Sequence, residues 1–152
     1  MDATEQLGEY IRSGLDWQQL IRNIETVRQY PGVKIKFNCV VSVYNILHLN
    51  SMLEFAYANG NTFDPIDLTV CHHPVQLNIK NLPQELKDLS RQRLLESSRY
   101  QEQQTRIDGI ISYMSDSPVS SWRETCRFTN KLDQLRNESV LEVVPEFKQY
   151  WE

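Results

Sequence analysis

The sequence predicts an α/β fold: parallel strands joined by helices, followed by a mostly helical carboxyl-terminal half. Three observations predict it. Val33–Tyr44 alternates Val33, Ile35, Phe37, Cys39, Val41 and Val43 with Lys34, Lys36, Asn38, Val40 and Ser42, the period of a strand with one apolar face. Ile66, Leu68 and Val70 alternate in the same way with Asp67, Thr69 and Cys71. Between these runs Leu49, Leu53, Ala56 and Tyr57 recur at helical spacing, so a βαβ crossover with parallel pairing is expected.

Each element has local signals. Asp16 precedes Trp17, Leu20, Ile21, Ile24 and Val27, which predicts an amphipathic helix with Asp16 as N-cap and Gln19 as its reciprocal partner. Tyr30-Pro31-Gly32 stops that helix and turns the chain into the first strand. The polar side of this strand changes from lysines to Asn38, Val40 and Ser42, so burial on both faces is expected toward its carboxyl end, as in an inner strand. In α/β sheets ligands sit beyond the carboxyl ends of strands, which makes Asn38 and Ser42 candidate contact residues. The crossover helix is expected to be capped by Asn50 or Ser51 and to end at Asn59-Gly60. Asp64-Pro65 then turns the chain into the second strand.

Beyond Cys71 the pattern is helical. Pro83 marks a first turn, and Leu86, Leu89, Leu94 and Leu95 carry a helix toward Arg99. Ile107, Ile110, Ile111 and Met114 mark the next helix, which Ser117-Pro118 ends, although Gly109 weakens it. Ser121-Trp122-Arg123-Glu124 is a capping box opening a helix through Trp122, Cys126, Phe128, Leu132 and Leu135 to Arg136 or Asn137. Val140, Leu141, Val144 and Phe147 close the chain, broken at Pro145. Trp122, Phe128, Phe147, Tyr150 and Trp151 are expected to form an aromatic core for these helices in preference to a partner surface. Two strands leave open edges, so the carboxyl-terminal helices, a second copy or a missing amino-terminal portion that completes a larger sheet should cover them.

Composition excludes several functions. The chain has 152 residues, is 40% apolar and carries a net charge of -4, which fits one domain without a broad polyanion-binding face. Nucleic acid is not an expected partner. Cys39, Cys71 and Cys126 are odd in number and far apart, as expected of reduced thiols in a cytoplasmic protein. No apolar run of about 18 residues suggests a membrane span, and Met1–Tyr10 carries acids where a signal peptide needs a basic start. Cys71-His72-His73 has metal-ligand chemistry, but on a strand it supplies two ligands at most where a closed zinc site needs about four. No metal site is expected. The chain contains no Gly-rich phosphate loop, no Gly-x-Ser-x-Gly and no His-Glu-x-x-His, and no catalytic residue is assigned.

Four segments carry a family resemblance. Gly8-Glu9-Tyr10-Ile11-Arg12-Ser13-Gly14-Leu15-Asp16-Trp17, with Asn23-Ile24 behind it, resembles the Tyr-Ile-Arg-x-Gly-x-x-Trp segment of twitch-domain-containing radical S-adenosylmethionine proteins. Phe37–Ile46, then Pro74–Ile79 leading to Leu82-Pro83, then Thr129–Ser139 leading to Val144-Pro145-Glu146-Phe147 resemble the same family in the same order. The resemblance implies the carboxyl-terminal part of a partial (β/α) barrel with two or three parallel strands in residues 1–80, and a helical extension packed on it in residues 81–152. It places Met1-Asp2-Ala3 as the tail of a fourth strand and Asn38 and Ser42, on the fifth, against the cosubstrate. The complete family protein uses S-adenosylmethionine and a [4Fe–4S] cluster held by Cys-x-x-x-Cys-x-x-Cys, a motif that Cys39, Cys71 and Cys126 cannot reproduce. This chain alone is expected to hold neither and to be catalytically inert. Its expected partner is an amino-terminal radical S-adenosylmethionine half, or a second copy meeting it through the open sheet edges.

Overall fold

The computed structural model describes residues 1–151. Helices dominate: α1 (Glu5–Ile11), α2 (Trp17–Arg28), α3 (Leu49–Asn59), α4 (Gln84–Leu95), α5 (Tyr100–Met114), α6 (Trp122–Arg136) and α7 (Val140–Val143). Two strands, β1 (Phe37–Val41) and β2 (Ile66–Val70), pair in parallel with α3 crossing between them. The register sets Phe37 beside Ile66, Cys39 beside Leu68 and Val41 beside Val70. Phe37, Cys39, Val41 and Ile66 are buried on the helix-covered face with Met52, Leu53 and Ala56 of α3. Each fully buried aliphatic side chain there contributes about 1.5–3 kcal/mol. Phe147, Ile107 and Leu86 from the carboxyl-terminal half join the same core.

The parallel crossover is as expected, and the first strand is shorter. Val33–Lys36 stands outside the ladder because Asn61 occupies its backbone, accepting from Ile35 N at 2.5 Å and donating to Val33 O at 2.6 Å. β1 is also not an inner strand buried on both faces: Asn38 and Val40 are exposed, and burial resumes only at Ser42. With two strands, the face opposite α3 has no layer over it.

Caps explain the helix limits. Asp16 accepts from Gln19 N at 2.8 Å, as expected, but the reciprocal half of the box is absent because the Gln19 side chain turns to Asn23 and Arg22. Neither Asn50 nor Ser51 caps α3. A 3₁₀ turn over Ile46–His48 feeds the chain into α3, and Asn50 Nδ2 instead donates to Arg93 O at 2.6 Å. α3 ends where Gly60 turns extended (φ -72°, ψ 152°), and only glycine fits there, because a Cβ would lie 2.4 Å from Pro65 Cβ and 2.8 Å from Ala56 O. α4 stops at Leu95, short of Arg99, where Glu96 N and Ser97 N close the last turn on Gln92 O and Leu94 O. Ser121 caps α6 through Glu124 N, and Asn137 closes it in the left-handed conformation at φ 55°, where Asn is tolerated better than most residues.

The aromatic core of the carboxyl-terminal region forms from Trp122, Phe147, Tyr150 and Trp151, while Phe128, expected in it, is half-buried and stands outside the core cluster. Phe147 is fully buried, stacked on Trp151 at 5.8 Å and edge-on to Trp122 at 5.1 Å. Leu135, expected on the buried stripe of α6, is 84% exposed. Cys126 is buried as expected, but the stripe continues through Thr125 and Thr129, polar residues that sequence periodicity passes over.

Candidate functional site

The carboxyl ends of β1 and β2, together with the uncovered face between them, are the place in this fold where a ligand would meet convergent polar groups. Asn38 and Val40 of β1 and Asp67 and Thr69 of β2 share that face by register. Asn38 keeps its side-chain amide in solvent, while its carbonyl accepts from the Met1 amino group at 2.6 Å. Ser42 lies one residue past β1 and is 6% exposed. Its N–H donates to Asn45 Oδ1 at 2.8 Å, and its carbonyl accepts from the N–H groups of Asn45 and Ile46. Asn38 therefore fits a contact from the uncovered face, whereas Ser42 is held within a turn.

That turn depends on a residue to which sequence reasoning gave no role. Asn45 is fully buried and donates to Asp2 O at 2.6 Å and Val40 O at 2.8 Å while accepting from Ser42 N. Asp2, also buried, accepts from Val40 N at 2.9 Å and from Arg12 Nε at 2.9 Å. Met1–Ala3 thus runs beside the outer edge of β1, and two side chains occupy ladder positions that a neighbouring strand would otherwise fill. An Asn directly after a strand and a turn is a recognisable turn-former. Its partners, 43 and five residues away, are not recognisable from sequence.

At the end of β2, Cys71 is buried with its thiol toward His73 O at 3.3 Å, and burial raises its pKa. His72 and His73 are exposed. His72 Nδ1 lies 3.1 Å from Tyr113 Oη, which accepts from Asn78 Nδ2 at 2.8 Å. Asn78 also donates to Cys71 O at 3.1 Å. The three residues of Cys71-His72-His73 therefore diverge, and among the described residues no group of three His, Cys, Asp or Glu side chains could hold a metal ion. Cys39 lies in β1, Cys71 after β2 and Cys126 in α6, and all are buried; burial pushes Cys39 up to about 12. These thiols do not fit a [4Fe–4S] cluster, which takes closely grouped thiolates.

The other end of the sheet is fastened by charge. Arg106 of α5 donates to Asp64 Oδ1 and Oδ2 at 2.8 and 2.7 Å and to Ile66 O at 3.1 Å. The bond from Arg106, outweighing partial desolvation and aided by Gln103, pulls the Asp64 carboxyl down to about 2. A carboxylate with a depressed native pKa stabilises the fold above its unfolded value, and that contribution fades as pH falls from about 4 toward about 2. Because Asp64 is 38% exposed, solvent screening limits the gain to about 1 kcal/mol. Arg106→Met should therefore cost about 1 kcal/mol in urea titrations at pH 7, and the difference from wild type should shrink toward pH 2. A deficit that persists undiminished in acid would assign it to packing.

No protein-family model, curated protein or solved structure matches the chain. Among the described residues, no helix is long and apolar enough to cross a membrane.

Proposed function

We propose that the chain is the carboxyl-terminal part of a radical S-adenosylmethionine protein, supplying two barrel strands and a cosubstrate contact to a cluster-bearing segment held elsewhere. The observation that carries this reading is the parallel β1–α3–β2 unit with helices on one face only and Met1–Ala3 lying along the outer edge of β1. A closed or half-closed barrel has this layering: helices outside, and an inner face that is bare when the remaining strands are missing. Asn38 lies on that inner face and Ser42 at the strand end above it. When bound, S-adenosylmethionine would supply a cleavable sulfonium; this chain would orient it through Asn38 and leave electron delivery to the segment that holds the cluster.

The test uses the purified chain. Incubation with iron and sulfide should leave no retained cluster, and no cosubstrate should be cleaved under reduction. S-adenosylmethionine titrated to about 10 mM, which reports contacts worth about 3 kcal/mol, should shift the amide resonances of Asn38 and its neighbours on the uncovered face. A stoichiometric cluster on this chain alone, or no shift at Asn38, overturns the proposal.

One observation favours a second reading, a non-enzymatic module that self-associates. Among the described residues, the N–H and C=O groups of Leu68 and Val70 that point away from β1 have no partner, and such an edge accepts a further strand. Sedimentation separates the two readings, because a concentration-independent monomer rules out pairing through β2.

A further inference from the structure

Gly109 sits in the middle of α5, although glycine is the least favourable residue short of proline in a helix interior. Nothing among the described residues requires it: the position is exposed, and no atom lies within 4 Å of a Cβ built there. Arg106 and Tyr113 share one stripe of α5, and both reach β2. Arg106 Nη1 donates to Ile66 O at 3.1 Å, and Tyr113 Oη lies 3.1 Å from Nδ1 of His72, just past the strand. Gly109 lies between them along that stripe, so a bulky side chain there would stand beside the middle of β2. The outer edge of β2 is open at this level. Phe37 N donates to Pro65 O at 2.7 Å and Cys71 N to Val41 O at 2.8 Å, a register that turns the backbone groups of Ile66, Leu68 and Val70 away from β1,. Arg106 takes Ile66 O, and the strand ends at Val70. The N–H and C=O groups of Leu68 and Val70 stand free beside Gly109.

We propose that a second copy of the chain docks on this edge, β2 pairing antiparallel with β2 of the other copy about a two-fold axis at Thr69. Leu68 of each copy then exchanges both backbone hydrogen bonds with Val70 of the other, which satisfies all the free groups at once. Their side chains meet on the helix-covered face, where each is only partly buried. Thr69, exposed on the bare face, meets its own counterpart, a pairing in which hydroxyls bond across the strands,. Reversal of the strand sets the acidic end of one β2, at Asp64 and Asp67, beside the His72-His73 end of the other, so like charges do not confront each other. α5 and its counterpart flank the axis, and Gly109 leaves room for their approach. A surface that complements itself in this way closes as a dimer and needs no other partner. The pairing rests on the self-associating reading of the chain, and it leaves the opposite edge of the sheet, where Met1–Ala3 lies, untouched.

The test is disulfide trapping of the full chain carrying Thr69→Cys, read by non-reducing electrophoresis, together with sedimentation of the wild type. At the axis the two Cβ atoms stand about 5 Å apart, close to disulfide reach, whereas the native cysteines are buried. Oxidation should trap Thr69→Cys as a covalent dimer and leave Val40→Cys, at the same register but one strand farther from the axis, uncross-linked. The wild type should sediment as a concentration-dependent dimer. Thr69→Lys should weaken dimerisation at least tenfold by opposing two charges at the axis. Gly109→Gln should weaken it as much while raising the Tm of the dilute monomer by about 1–3 °C. A wild-type monomer at every concentration overturns the pairing together with the self-associating reading. A dimer that Thr69→Cys fails to trap, or that Gly109→Gln leaves intact, overturns the pairing and keeps self-association. A lower monomer Tm for Gly109→Gln would assign the glycine to the fold and overturn its role at the interface.

Discussion

Replacing Asn45 with Ala is expected to cost about 3–5 kcal/mol of folding stability, measured by urea denaturation with an unchanged m value. The side chain is fully buried and makes three hydrogen bonds to backbone, donating to Asp2 O and Val40 O and accepting from Ser42 N. Ala leaves Val40 O and Ser42 N without partners and Asp2 O with only the weak Cys39 thiol donor at 3.4 Å, and a buried unsatisfied group costs about 1–3 kcal/mol. Water reaching the outer edge of β1 recovers part of the loss, which sets the lower bound. Domains of this size hold only about 5–15 kcal/mol in total, so the variant should unfold at a visibly lower urea midpoint. Asn38→Ala provides the contrast. Its exposed side chain bonds nothing in the described chain, and a surface truncation of this kind stays within about 0.5 kcal/mol. A loss below about 1 kcal/mol for Asn45→Ala would show that the turn is held by packing rather than by this side chain. A large loss for Asn38→Ala would give that residue a structural role and weaken its assignment as a ligand contact.

Phe147→Ala is expected to cost about 3–5 kcal/mol and to change the tryptophan fluorescence of the folded protein. The ring is fully buried between Trp151 and Trp122, and its removal leaves a cavity too well walled to collapse,. The surroundings resist collapse because both indoles are pinned: Trp122 Nε1 donates to Tyr150 O at 2.8 Å and Trp151 Nε1 to Asn130 Oδ1 at 3.0 Å. The emission change follows from loss of ring contact with both indoles. Leu135→Ala, by contrast, should be close to neutral because Leu135 is 84% exposed. Equal losses for the two variants would mean that the carboxyl-terminal segment contributes little to the core.

The features legible in the sequence were those whose physical causes are local. The caps at Asp16 and Ser121, the stop at Gly60 and the alternation in β1 and β2 each involve residues within a few positions of one another, so their spacing alone reveals them. The parallel crossover follows from the length of chain needed to return to the same end of a sheet. Boundaries failed where a distant side chain intervened: Asn61 removed Val33–Lys36 from the ladder, and the entry turn at Ile46–His48 made an Asn50 or Ser51 cap unnecessary. The stripe of α6 was only partly placed: Cys126 was found, but Thr125 and Thr129, which a hydrophobicity count scores low, were not.

At the candidate site the same division holds. Asn38 and Ser42 were found by their place on a strand, yet only the three-dimensional arrangement shows that one faces solvent and the other is enclosed. The sequence by itself determined the order of helices and strands and the parallel relation of the two strands, because these follow from period, caps and loop length. Tertiary structure alone decided which polar groups are buried and which edge of the sheet is covered, because burial and pairing are properties of residues far apart in the chain that folding brings together.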